Sequence, residues 1–135
     1  MGAGQFCTNP GVVIVQAGAS ADAFANAAHD ALAAGDQHTM LTEGIAAAYR
    51  KGEANIGQQS GVEAIASGSA NGRNAANAIF ATNAQTWLAN PDIRHEVFGP
   101  LGLIVHASGP EEMEAVAHSL EGQLTVTLHM DDTAL

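Results

Sequence analysis

A single cysteine, Cys7, in 135 residues excludes an intramolecular disulfide and any zinc site built from several thiolates of one chain. Basic residues are also scarce: four Lys plus Arg stand against fourteen Asp plus Glu, a formal net charge of −10. Such a field repels phosphate backbones and anionic headgroups, so no nucleic acid and no membrane surface is expected as a partner. No apolar run approaches the roughly 20 residues of a membrane helix, and residues 1–10 lack the basic start and apolar stretch of a secretory signal. The setting expected is soluble, reducing and cytoplasmic. His29, His38, His95, His106, His118 and His129 form no His-x-x-x-His pair, and no metal site is expected. Charged residues make up only 13% against 47% hydrophobic, a balance that favours a packed core over a disordered acidic tail. The length suits one domain or a piece of one.

What is present reads as α/β. Gly11-Val12-Val13-Ile14-Val15 and Leu101-Gly102-Leu103-Ile104-Val105 are runs without polar alternation, the pattern of strands buried on both faces of a parallel sheet. Residues 20–34 form an Ala-rich helix with Phe24, Ala27, Ala28, Ala31 and Leu32 at helical spacing, stopped by Gly35. A second helix presents Leu41, Ile45, Ala48 and Tyr49, with Arg50 and Lys51 in its last turn and Gly52 as its stop; residues 55–61 follow as connection. Shorter strands are expected at 62–66 and 78–81, with turn-rich residues 67–72 between them. Ser108, Pro110 and Glu111 open a last helix whose apolar stripe is Met113, Val116, Ala117 and Leu120. Gly122 closes it, and Leu124-Thr125-Val126-Thr127-Leu128 completes a strand, helix, strand unit with a right-handed crossover. The architecture expected is a mainly parallel sheet flanked by helices.

Two polar, Gly- and Pro-bearing segments carry the chemistry. A lone cysteine is usually a small buried hydrophobe. Cys7, however, follows Gly4 and Gln5 and precedes Asn9-Pro10-Gly11, on a loop just ahead of a strand, where a rigid scaffold presents reactive groups. Arg94-His95-Glu96-Val97-Phe98-Gly99-Pro100 lies in the same position ahead of the second strong strand; read blandly, it is a connection with Phe98 tucked into the core. In a parallel sheet both loops fall at the N-terminal edge of their strands. Ligands of open α/β sheets more often sit at the opposite edge, which points to a site shared with another domain. Residues 68–74 carry no phosphate-loop pattern, and Glu111, Glu112 and Glu114 suit a solvated helix start.

Taken together, Gly4-Gln5-Phe6-Cys7-Thr8-Asn9-Pro10-Gly11 and Glu96-Val97-Phe98-Gly99-Pro100 resemble the aldehyde dehydrogenase superfamily, in which Gly-Gln-x-Cys is followed some ninety residues later by Glu-x-Phe-Gly-Pro. Here Glu96 lies 89 residues after Cys7. Gln5-Phe6-Cys7-Thr8-Asn9-Pro10-Gly11 and Leu120-Glu121-Gly122-Gln123-Leu124-Thr125 are similar to the branch that oxidises 2-oxoglutarate semialdehyde. The resemblance implies that Cys7 attacks the aldehyde carbonyl, that a hydride then passes to the nicotinamide of NAD or NADP, and that water hydrolyses the resulting thioester. It implies Glu96 as the residue holding the nicotinamide ribose, Phe98 beside the nicotinamide, and the Cys7 N–H as an oxyanion donor. Thr8, Asn9 and Pro10 depart from the commoner pattern after the nucleophile, so other semialdehydes stay open.

Family members are longer and carry, before the nucleophile, a cofactor-binding domain, an oxyanion Asn and a water-activating Glu. Residues 1–135 are therefore expected to be a portion of the catalytic domain without the N-terminal cofactor-binding domain, inactive and without cofactor when isolated, and self-associating through apolar surface. Two rivals remain: a structural or oligomerisation module with an inert Cys7, and a small Cys hydrolase, which needs one His within reach of the thiol.

Overall fold

The computed structural model describes residues 2–33 and 35–130. β1 (Val12–Gln16), β5 (Ala78–Asn83) and β6 (Leu101–Ala107) are parallel, and β3 (Glu63–Ala66) runs antiparallel to β5. The order across the sheet is β1-β6-β5-β3. The expected mainly parallel, helix-flanked sheet is thus observed. The two strong apolar runs are neighbours, with Val12 opposite Leu103 and Val15 opposite His106. Their environments differ. β6 is central, with Leu101, Leu103, Ile104, Val105 and Ala107 buried, whereas β1 is an edge strand and only half-buried. Residue type reports strand propensity, not the number of neighbours a strand will have.

Alternation along β6 divides the interior in two. Leu103 and Val105 join Met40, Tyr49, Ile56, Phe80, Trp87 and Val116 in the larger core, while Ile104 meets Ala25 and Ala81 on the other face. α1 (Ala19–Ala33) covers that second face. Its buried positions are Ala21 and Ala25, with Ala28 and Leu32 half-buried; Phe24, Ala27 and Ala31 of the predicted stripe face outward. The small Ala side chains let the helix lie close to the sheet, so Phe24 is displaced to the flank. Ala34, the last position of the predicted helix, lies outside the described residues.

α2 (Glu43–Gly57) begins at Thr42, whose hydroxyl accepts the Ile45 N–H at 3.2 Å. It does not stop at Gly52, and residues 55–57 expected as connection belong to it. Arg50 reaches across to the Gly72 carbonyl at 2.8 Å instead of closing its own helix. Gly52 is a packing position: a Cβ there would stand 2.8 Å from Val97 Cγ1. The buried face is Ala46, Tyr49 and Ile56, while Leu41 and Ala48 are exposed.

A two-stranded antiparallel ribbon, β2 (His38–Thr39) with β4 (Asn74–Ala75), and α3 (Ala84–Ala89) have no counterpart in the sequence expectation. Asn83 caps α3 by accepting the Thr86 N–H at 2.8 Å. α4 (Pro110–His118) starts with Pro110 in its first turn as expected and ends at Ser119, earlier than Gly122. Val116 is its buried residue and Ala117 is exposed. Residues 124–128 form no strand among the described residues; Leu124, Val126 and Leu128 are 70%, 87% and 73% exposed. Their alternation is that of a strand, yet a strand exists only where a ladder partner takes up its N–H and C=O groups, and none is placed beside them.

Candidate active site

Because β1 and β6 are adjacent and parallel, the loops that feed them emerge side by side. The first is a short 3-10 turn, Gly2–Gly4, followed by a β-turn closed by the Asn9 N–H donating to the Phe6 carbonyl at 3.0 Å. Cys7 and Thr8 are the two central residues of that turn. The geometry lifts Cys7 to the surface, so its reading as a small buried residue does not hold. Among the described residues the Cys7 N–H donates to no acceptor, which leaves a backbone donor open beside the thiol.

The second loop alternates. Val97 is pinned against Gly52 of α2, and its neighbours Glu96 and Phe98 are turned outward. Phe98 is 42% exposed, so the sequence reading that tucked it into the core is corrected: Val97 occupies the inward position. Gly99 lies over Tyr49, where a Cβ would come within 2.9 Å of Tyr49 Cε2 and 3.1 Å of Met40 Cε. The Tyr49 hydroxyl donates to the Ala76 carbonyl at 2.7 Å, with the Pro100 carbonyl 3.3 Å away. Burial, and next the charge of Glu53, pushes the Tyr49 phenol well above its ordinary range, so it remains a neutral donor.

The loops touch through their glycines. A Cβ on Gly4 would stand 2.6 Å from the Gly99 carbonyl carbon and 2.9 Å from Pro100 N, distances no real side chain tolerates. Gly4 also holds φ +67, a region that L-residues enter at a cost. The glycines of the two motifs therefore serve one contact, which joins the Cys7 turn to the Glu96–Phe98 loop.

Cys7, Glu96 and Phe98 line a common cleft of about 660 Å³. Its walls include Trp87, Ile93 and residues 119–124. All three predicted site residues are thus brought together. Trp87 was missed, since nothing in its sequence neighbourhood marks it; its indole N–H donates to Ser119 Oγ at 2.7 Å and ties α3 to the end of α4 beside the cleft. Residues 120–124 had a signal in the Leu-Glu-Gly-Gln-Leu pattern, although their tertiary position did not follow from it. His95 also lines the cleft but makes no hydrogen bond to Cys7. Among the described residues no group of His, Cys, Asp or Glu is arranged to hold a metal ion, and no helix is long and apolar enough to cross a membrane.

No protein-family model matches the chain. Over 133 residues, 97% of the chain, it is 45% identical to alpha-ketoglutaric semialdehyde dehydrogenase 2 of Azospirillum brasilense. Over its whole length it is 32% identical to alpha-ketoglutaric semialdehyde dehydrogenase of Acinetobacter baylyi. In fold it is similar to the NAD-dependent benzaldehyde dehydrogenase from Corynebacterium glutamicum, with a TM-score of 0.71 over 88% of the chain and 27% of that structure, at 19% identity. The likeness in sequence is thus to two alpha-ketoglutaric semialdehyde dehydrogenases, and the likeness in fold is to an aldehyde dehydrogenase structure. It spans 25% and 26% of the length of the two curated relatives.

The cleft offers three different functions: a surface thiol with an open N–H, an aromatic face, and a carboxylate. Glu96 makes no hydrogen bond among the described residues, so both its oxygens are open to hydroxyl donors. An exposed carboxylate next to an exposed ring suits the ribose and flat ring of a nicotinamide nucleoside. The fit extends to that end of a dinucleotide only.

Proposed function

We propose that the chain is part of an NAD(P)-dependent aldehyde dehydrogenase that oxidises a semialdehyde, alpha-ketoglutaric semialdehyde first, to the carboxylate. The observation that carries this reading is the shared cleft, in which Cys7 sits at the tip of a turn bonded by contact to the loop of Glu96 and Phe98. The names and sequence identity of the two relatives support the substrate class.

Cys7 acts as the nucleophile: its thiolate adds to the aldehyde carbon and the carbonyl electron pair moves to oxygen, forming a thiohemiacetal. The Cys7 N–H, which donates to no acceptor among the described residues, serves as the donor that stabilises the charge so formed. Glu96 and Phe98 would hold the ribose and ring of a nicotinamide dinucleotide, which when bound would accept the hydride and leave the carbonyl restored as a thioester on Cys7. Water then adds, the carboxylate departs and the thiolate is released; overall the aldehyde carbon loses a hydride and gains an oxygen from water, whose two protons are released. The catalytic-domain portion by itself is proposed to capture aldehyde without turnover, because the family's water-activating Glu and cofactor domain belong to residues outside this stretch.

The test is iodoacetamide labelling of the folded chain followed by mass spectrometry, with and without alpha-ketoglutaric semialdehyde. Labelling of Cys7 before unfolding, slowed by the aldehyde, is expected, and Cys7→Ser abolishes it. Labelling that the aldehyde leaves unchanged refutes the nucleophile role. The structural-module reading requires a thiol that reacts only after denaturation, and the exposure of Cys7 weighs against it. Production of reduced nicotinamide by the 135-residue chain would overturn the proposed lack of turnover.

A further inference from the structure

The Cys7 turn is held on a second side, by residues that do not line the cleft. Gln5 Oε1 accepts the Leu41 N–H at 3.0 Å. The strip that supplies this donor is itself clamped: Arg73 donates through Nη2 to the Met40 carbonyl at 2.9 Å and to the Leu41 carbonyl at 3.1 Å, and through Nε to Met40 at 3.2 Å. The Met40 N–H returns a bond to the Arg73 carbonyl at 2.8 Å, as β2 continues along β4. Met40 is fully buried, and its methyl group lies beneath Gly99. One short strip of backbone, residues 40–41, therefore supports both loops, Gln5 from the first and Gly99 from the second.

We propose that Gln5 and Arg73 are positioning residues, which hold the strip at residues 40–41 so that the Cys7 thiol and N–H keep the orientation needed for addition to a carbonyl. This deepens the proposed function and rests on it. Bonds from two side chains converging on one strip brace it better than a single bond to a loose segment, because the donor of the Gln5 bond is fixed by Arg73 before the turn meets it. Gln5 and Arg73 are absent from the cleft wall, so they act through Cys7 and not on substrate.

Two reagents separate orientation from mere presence of the thiol. Iodoacetamide alkylation needs a thiolate and no oxyanion donor; reversible addition of alpha-ketoglutaric semialdehyde needs both. In the 135-residue chain, Gln5→Met is expected to weaken aldehyde protection of Cys7 by up to about tenfold, the scale of one hydrogen bond. The pH-independent alkylation rate stays within about twofold of the parent, a difference too small for a lost hydrogen bond. Gln5→Glu keeps an acceptor for the Leu41 N–H and restores protection. Arg73→Met is expected to show the same selective loss from the far side of the strip. Equal protection in parent and both Met variants overturns the proposal, as does a parallel fall in protection and alkylation or a failure of Gln5→Glu to rescue. Absence of aldehyde protection in the parent chain refutes the function reading itself, and this proposal falls with it.

Discussion

Replacing Gly4 with alanine tests whether the two loops are joined as the structure has them. Two penalties arise, and they are separable. The first is conformational: φ +67 places an L-residue in the left-handed region, a cost of about 1–2 kcal/mol. The second is contact: the new Cβ would stand 2.6 Å from the Gly99 carbonyl carbon, about 1 Å inside the usual 3.5–4.0 Å carbon separation. The atoms it meets are backbone, held in place by Tyr49 and Pro100, so the loops must part or strain; overpacking of this kind costs about 1–3 kcal/mol. Together the expected destabilisation is about 2–5 kcal/mol, a large share of the ~5–15 kcal/mol of an ordinary domain.

Gly72 supplies the control. Its φ is +62, nearly that of Gly4, yet nothing lies within 4 Å of a Cβ built there. Gly72→Ala therefore carries the conformational penalty alone, about 1–2 kcal/mol. Urea unfolding followed by the fluorescence of Trp87, the one tryptophan, reads both variants on the same scale. Equal destabilisation by the two substitutions would refute the contact between the loops. A matching consequence is expected at Cys7: parting the loops by ~1 Å misaligns the thiol from the Glu96–Phe98 side, a displacement able to cost about a hundredfold in a positioned reaction.

Burial raises the Glu53 carboxyl above its ordinary range. A carboxyl so raised favours folding below its unfolded pKa, and that contribution is lost as pH rises through the folded value; Glu53→Gln is therefore expected to raise Tm at neutral pH and to converge with the parent in acid. Trp87→Phe removes the 2.7 Å bond to Ser119 and part of a buried side chain, with an expected loss of about 1–3 kcal/mol in urea unfolding followed by circular dichroism; no loss would mean the indole does not tie α3 to α4. Glu112 accepts the Ser108 N–H at 2.7 Å, and that bond lowers its carboxyl range. Its support of the α4 start is present above the unfolded carboxyl pKa and lost as pH falls through the lower folded value, so the stability of Glu112→Gln should depend less on pH in acid than that of the parent.

Strand type, helix type and the motif loops were legible in the sequence because each rests on local chemistry. β-branched and Leu-rich runs make strands at β1 and β6, Pro110 starts α4, and the residues around Cys7 and Glu96 carry their own resemblance. That both loops lie at one edge of the sheet also followed from local signals, since parallel strands put the residues before them on the same side; that β1 and β6 are neighbours did not. What did not follow was anything set by a distant partner. Gly52 reads as a stop until Val97 is seen to occupy the space of its missing side chain. Ala27 and Ala31 read as buried until the sheet selects Ala21 and Ala25, and residues 124–128 read as a strand although no ladder partner stands beside them among the described residues.

Gln5 is the plainest case. The sequence marks it as part of a motif and says nothing of Leu41 or Arg73, which are remote along the chain and become neighbours only when β2 pairs with β4. The sequence by itself marked the candidate site residues and most of the regular segments. Tertiary structure alone decided where the cleft lies, which glycines make the loops touch and what braces the thiol, because each depends on close approach of backbone from distant segments, and no local pattern encodes that.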